Sequence, residues 1–290
     1  MSAHIGIALA FVAMLSWGIG DFFIQRSVRK VGDWEALFAV TFFGALVLSP
    51  FAWKNLPALF ADGHTLFIVG VLCVILFLAA ILDFEALREG KLAVIEPIWS
   101  FEVPISALLA FFILGERLGI IQILLIILLL IGLALVSIKN KFEFRHLLFE
   151  KGAMIAALGA VMMGAANFFM GWSSRLADPI MANFVSDSFI ALISLLVLIF
   201  RGNFFRSVRD ILANPSVLLP MSVADKAAWL AFAFAMSVAP IGVATALSES
   251  YIIIAVILGL FLNREKIRRH QKFGLVLALA AAIVLASITS

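Results

Sequence analysis

The sequence predicts an all-α integral membrane protein, with ten transmembrane helices forming two inverted five-helix repeats. Three observations carry that expectation. The chain is too apolar for a soluble domain. It contains ten apolar segments long enough to cross a bilayer. Its two halves also resemble each other in a collinear run of residues.

Of the 290 residues, 64% are apolar and 13% charged, and the mean hydropathy is +1.16. A soluble domain carries about 25% charged residues. The net charge of +3 gives no sign of nucleic-acid binding, because the charges sit in short loops between apolar spans. A lone cysteine, Cys73, excludes an intrachain disulfide and a Cys-based metal site. His4, His64, His146 and His270 lie at or near loops without ligand spacing, so neither a metal nor a cofactor is expected. The first apolar run follows no Lys or Arg and is too long for a signal-peptide core, so it is expected to serve as an anchor.

A spanning helix needs about 20 mostly apolar residues. Segments of that length fall at 4–25, 34–53, 65–87, 91–114, 118–138, 152–175, 179–200, 216–238, 241–262 and 270–288. None alternates as a barrel strand would. The first three are plain spans, the third ending in the acidic Leu82-Asp83-Phe84-Glu85. The fourth is unusual: it carries Glu96 and Glu102 inside the span, together with Pro97 and Pro104. Pro97 cannot donate to the carbonyl of Ala93, nor Pro104 to that of Ser100, so this helix is expected to bend. Its counterpart, segment 9, has Ala246 and Ile253 at those positions, so the repeats are expected to superpose worst there. The fifth segment leads into the longest polar connection, residues 139–151. Segments 8 and 9 abut at Pro240-Ile241 and require a tight turn.

The expected organisation is a first repeat at 1–138, a linker at 139–151 and a second repeat at 152–290. Gly6, Gly18, Asp21, Phe22, Phe23 and Arg29 recur at a constant offset as Gly152, Gly164, Asn167, Phe168, Phe169 and Arg175. After a shift of three residues, Ala86, Val94, Glu116 and Gln122 match Ala235, Val243, Glu265 and Gln271. Five spans per repeat is odd, so the second copy must be inverted. Lys and Arg favour the cytoplasmic side, and equivalent loops should therefore differ in basic content. They do: loop 1–2 holds Arg26, Arg29 and Lys30 against Arg175 in loop 6–7, and loop 2–3 holds Lys54 against Arg201, Arg206 and Arg209 in loop 7–8. Outside the odd-numbered loops the chain has only Lys54, Arg117, Arg175 and the intraspan Lys226. This bias puts the odd-numbered loops in the cytoplasm and both termini outside, in a cell (plasma or inner) membrane.

Two five-helix copies, a fourth segment ending in Gly115-Glu116-Arg117-Leu118, and Glu85-Ala86-Leu87 followed by Val94 and Pro97 resemble the drug/metabolite transporter superfamily, EamA type. The second copy departs from that pattern with Asn263-Arg264-Glu265. The resemblance implies a transporter of small metabolites, often an exporter of amino acids or related compounds. It implies a central cavity lined by helices 1, 3, 4, 6, 8 and 9, and it places both termini in the cytoplasm, against the charge bias.

Helical phasing selects a candidate substrate face without the family. Glu96, Trp99 and Ser100 share one stripe with Val103, and their repeat counterparts are Thr245, Ser248, Glu249 and Ile252. Asp225 and Trp229 share a stripe on segment 8, with Ala228 and Phe232, that is expected to face the same site. A carboxylate inside a bilayer is costly and marks a functional site, and Glu96 and Glu249 are expected to take a cationic group or carry a proton. The structural alternative is that both cap carbonyls freed by broken backbone. Glu102 lies off the stripe and is expected to hold a neighbouring helix. Asp21 and Asn167 fit capping and cavity roles equally. Lys226 needs an acidic partner on another helix, with Asp187, four residues after Asn183, one candidate. The expected function is secondary transport by alternating access, with a passive channel or lipid scramblase as the alternative. An enzyme would need a convergent nucleophile and base or a metal set, which the sequence lacks. The expected partners are a small-molecule substrate, the lipid bilayer and a coupling proton, with no nucleic acid, in a monomer or dimer.

Overall fold

The computed structural model describes residues 3–89, 95, 98–137, 151–202, 204–251, 253–254 and 268–289. Each of the ten expected segments holds a helix within these residues. In chain order they are α1 (Ala3–Val31), α2 (Asp33–Ala52), α4 (Gly63–Glu89), α5 (Glu102–Leu114), α6 (Ile120–Ser137), α7 (Lys151–Leu176), α8 (Pro179–Phe200), α10 (Pro215–Val238), α11 (Ile241–Ser248) and α12 (Arg269–Thr289). Two short helices were not expected: α3 (Leu56–Ala61) and α9 (Phe204–Ala213). They occupy equivalent loops of the two halves. α9 exposes Phe205 and Leu212 and tucks Ser207 inward onto Glu35, the pattern of a helix lying at a membrane surface. Seven of the helices are long and apolar enough to cross a membrane, and α5 and α6 are shorter apolar helices.

The principal interfaces join one half to the other. α1 packs on α10, α4 on α7, α2 on α8 and α6 on α12. Exchanging the halves converts the first pairing into the second and returns the last two to themselves, as a pseudo-two-fold axis requires. Hydrogen bonds give the sense of that axis. Gln122, at the start of α6, donates to Thr289 Oγ1 at the end of α12 at 3.0 Å; its counterpart Gln271, at the start of α12, donates to Val136 O at the end of α6 at 2.9 Å. Equivalent helices thus run antiparallel, and the halves are inverted. Small residues make the approach possible: a Cβ on Gly132 would lie 2.7 Å from Ala278 N, and one on Gly274 2.7 Å from Gly132 O. Phe112, Ile120 and Phe200 remain exposed on the perimeter, where lipid meets the bundle.

Segments 4 and 9 differ from expectation in an instructive way. Residues 98 and 99 are helical, Ser100 and Phe101 form a turn, and α5 starts only at Glu102. In segment 9, α11 ends at Ser248 and Glu249–Tyr251 form a 3-10 turn. By the repeat offset, Ser100 is the equivalent of Glu249, so the two helices break at the same place. Segment 9 has no proline there, so proline is not what sets the break. Pro104 is accommodated in the first turn of α5, where its missing N–H goes unused. Pro97, Val94, Ile252 and Glu265 lie outside the described residues, as do the 139–150 stretch of the linker and 255–262 of segment 9.

Candidate functional site

A cavity of about 110 Å³ lies between the halves, walled by α1, α2, α4, α5, α7, α8, α10 and the 3-10 turn after α11. Six carboxylates line it: Asp21, Asp83, Glu102, Asp187, Asp225 and Glu249. Asp83, Glu102, Asp187 and Glu249 are buried, while Asp21 and Asp225 keep partial exposure. Such a concentration of acid within a bilayer requires partners, and most of them are neutral. Asn167 Nδ2 donates to Glu102 Oε2 at 3.1 Å. Tyr251 lies beside Asp21, and Trp229 beside Asp225. Asp187 is the exception: it forms an ion pair with Lys226, whose side chain is buried with it. Aromatic rings complete the wall. Trp17 and Trp229 meet edge to face at 5.4 Å, and Phe232 closes on Trp17 from behind at 5.0 Å.

The break in segments 4 and 9 is what delivers much of this site. The turn at Ser100-Phe101 resets the helical phase and points Glu102 into the cavity. The matching turn after α11 presents Glu249 and Tyr251, the latter being the repeat equivalent of Glu102. Of the residues expected from phasing, Trp99, Asp225, Trp229 and Glu249 line the cavity. Ser100, Thr245 and Ser248 are buried and, among the described residues, are not part of its wall: Thr245 Oγ1 donates to Ile241 O and Ser248 Oγ to Ala10 O. Glu96 lies outside the described residues. Asp21 and Asn167 sit in the cavity wall rather than at helix ends, and Glu102 both accepts from its neighbour and faces the cavity. Asp187 is the partner of Lys226. From the sequence Asp83 falls near the end of the third span, whereas it is buried in the wall, and among the described residues neither its Oδ1 nor Trp99 Nε1 has a hydrogen-bond partner. Among the described residues no group of His, Cys, Asp and Glu could hold a metal ion.

A second constellation closes one end of the bundle. Gly115 takes φ +69° and ends α5 in a left-handed turn, a conformation that glycine adopts at little cost. The turn lets Glu116 N–H return to Ala110 O at 3.1 Å and sends the Glu116 carboxylate across the bundle. Glu116 pairs with Arg175 at 2.5 Å and accepts from Ile241 N at 2.9 Å. Arg175 also donates to Met236 O and Ala239 O, both at 2.9 Å. Loops 4–5, 6–7 and 8–9 are thus tied together. The repeat-related Arg29 reaches Leu87 O, the equivalent of Met236 O, at 3.4 Å. At that opposite end a second cavity of about 400 Å³ is lined by Asp33, Trp34, Glu35, Glu85, Arg88 and Arg201, and shares Leu37 and Phe84 with the central one.

The model of the EamA-like transporter family matches residues 4–138 and again 150–287. The chain belongs to the EamA-like transporter family. It is therefore a multi-pass membrane transporter of the drug/metabolite type, and the carboxylate-lined cavity lies between its two EamA halves. An uncharacterized protein of Methanocaldococcus jannaschii, MJ1333.1, is 26% identical over 136 residues, which cover 97% of that protein and 46% of this chain. A solved crystal structure has a TM-score of 0.67 at 17% identity, covering 98% of this chain and 97% of its own, a likeness that concerns the fold alone.

Proposed function

We propose that the protein is a secondary transporter that exports small metabolites by alternating access, with the central cavity as its substrate site. The observation that carries this reading is the place of the cavity: the interface of two inverted halves, beside paired helix breaks at equivalent positions. Transporter folds place substrate and coupling-ion sites at such interfaces. The two ends are also unequal. The Glu116–Arg175 tie closes the end formed by loops 4–5, 6–7 and 8–9, while the larger cavity adjoins the central one at the end formed by loops 1–2, 3–4 and 7–8. Loop charge puts the latter end in the cytoplasm, so substrate enters from the cell interior, as an exporter requires.

Within the cavity, Glu249 and its companions take a cationic group of the substrate or carry the coupling proton, and Trp17, Trp99 and Trp229 hold its apolar part. Reconstitution into proteoliposomes tests the reading. Flux should be concentrative and driven by an imposed gradient; flux that only dissipates a gradient would identify a passive pore. Glu249→Gln and Glu96→Gln keep size and hydrogen bonding but cannot ionise. Folded protein with lost or pH-insensitive transport is expected in at least one of them, and normal transport with an unchanged pH profile in both would remove these residues from the mechanism.

A further inference from the structure

The short helix α9 presents two faces that differ in kind. It packs on α1, α2, α8 and α10 at the end of the bundle where loops 1–2, 3–4 and 7–8 meet. Ser207 and Ile211 turn inward: Ser207 is buried and donates to Glu35 Oε1 at 2.7 Å, and Ile211 packs on the core. Phe205, Arg209 and Leu212 stand at i, i+4 and i+7 and share the opposite face. Phe205 and Leu212 are 88% and 74% exposed. Arg206 flanks the stripe and is exposed as well, and so is Phe200, which ends α8 just before it. Bulky apolar groups and arginines on one outward face suit the boundary between lipid headgroups and acyl chains.

A tryptophan marks the same level independently. Arg201 lies over the ring of Trp34 at 5.3 Å, and Trp34 stands in the first turn of α2. Tryptophan at the end of a span belongs at the headgroups, so Arg201 lies there too. The positive charge at this level is largely uncompensated. Arg206 is 3.7 Å from Asp210 in an exposed pair, which is weak. Among the described residues, Arg201 and Arg209 form no ion pair. Held between Phe205 and Leu212, Arg209 lays its methylene stem along apolar surface and extends its guanidinium toward the polar layer. The planar fork of N–H donors in a guanidinium matches the oxygens of a phosphate. The equivalent helix of the other half, α3, is Leu-Pro-Ala-Leu-Phe-Ala, without a basic residue. The patch therefore belongs to one leaflet only. Loop charge makes it the cytoplasmic leaflet, the one that carries anionic lipid.

We propose that the outward face of α9 is a docking site for anionic phospholipid, with headgroup phosphates held by Arg201, Arg206 and Arg209 while Phe205 and Leu212 enter the acyl boundary. The docked lipid lies beside the mouth of the 400 Å³ cavity, which Trp34, Glu35 and Arg201 line. Its binding does not depend on what the central cavity carries.

Native mass spectrometry of the purified full-length protein tests the site. The protein in detergent is titrated with dioleoylphosphatidylglycerol or dioleoylphosphatidylcholine, and one spectrum reads both the bound lipid and the oligomeric state. Phosphatidylglycerol should bind about fivefold more tightly or better, the effect of a single basic residue at an anionic surface. Arg201→Gln/Arg206→Gln/Arg209→Gln should weaken its binding by about fivefold or more, and the control Arg268→Gln/Arg269→Gln, in another basic loop on the same side, by less than about twofold. Arg209→Gln alone should lose more than Arg206→Gln, because Asp210 shares the charge of Arg206; it carries the test if the triple variant does not fold. Equal affinity for the two lipids in the unaltered protein would overturn the proposal, making the face an ordinary lipid contact. Equal losses in the triple and control variants would overturn it in favour of diffuse charge. Displacement of phosphatidylglycerol by inorganic phosphate would do so in favour of a soluble anion, and loss of a dimer instead of the lipid in favour of a subunit contact.

Discussion

Removing the carboxylate of Asp187 should cost more stability than removing any hydrogen bond in the bundle. The side chains of Lys226 and Asp187 are only 5% and 9% exposed. Gly44 of α2 covers the pair so closely that an added Cβ would run into both Asp187 Oδ2 and Lys226 Cε. Asp187→Asn therefore leaves a buried ammonium without its counter-ion. Asp225 cannot replace it in contact, because adjacent residues point about 100° apart around a helix. Breaking a buried pair on one side costs about 3–5 kcal/mol, whereas replacing both partners by apolar groups is often neutral or stabilising. An interhelical hydrogen bond within a membrane averages only about 0.6 kcal/mol, so the two origins are readily told apart. Asp187→Asn and Lys226→Met should each destabilise by about 3–5 kcal/mol, and the double variant Asp187→Leu/Lys226→Met should return to within about 1 kcal/mol of the starting protein. Unfolding by denaturant titration, followed by tryptophan fluorescence, measures all three. Single variants within about 1 kcal/mol of the unaltered protein, or a double variant as unstable as the singles, would refute the argument from an uncompensated buried charge.

Two further outcomes follow from the ends of the bundle. The Glu116–Arg175 pair is partly exposed, so Arg175→Gln should change stability by no more than about 1 kcal/mol. It should nonetheless loosen the closed end, so that a thiol at Ala239→Cys in a Cys73→Ala background reacts several-fold faster with a maleimide; an unchanged rate would show that the pair is not a gate. Orientation is checked in the same background. Arg209→Cys should react only after cell lysis and Lys54→Cys in intact cells, and the opposite pattern would show that loop charge misassigned the sides.

Much of this architecture was legible in the chain because it depends on properties summed along it. Apolar runs and loop charge act residue by residue through the bilayer, so the number and positions of the spans needed no knowledge of packing. The collinear recurrence that pairs Gln122 with Gln271 and Arg29 with Arg175 anticipated matched contacts, and the structure shows Gln122 and Gln271 each bridging to the other's helix. The site was legible only in part, for two local reasons. Segment 1 was expected to end at residue 25, but α1 continues to Val31, which moves Asp21 from a helix end into the interior of the span. Phasing along segment 4 assumed a continuous helix, and the turn at Ser100-Phe101 breaks that phase, bringing Glu102 to the cavity that extrapolation had turned it away from. The choice of Asp187 for Lys226, and the gathering of Asp21, Asp83, Glu102, Asp225 and Glu249 from five separate stretches, were decided only by how the helices pack. Periodicity specifies which residues share a face of one helix; which faces meet is set by close packing between halves, through glycines such as Gly132 and Gly274 whose partners lie far away in sequence.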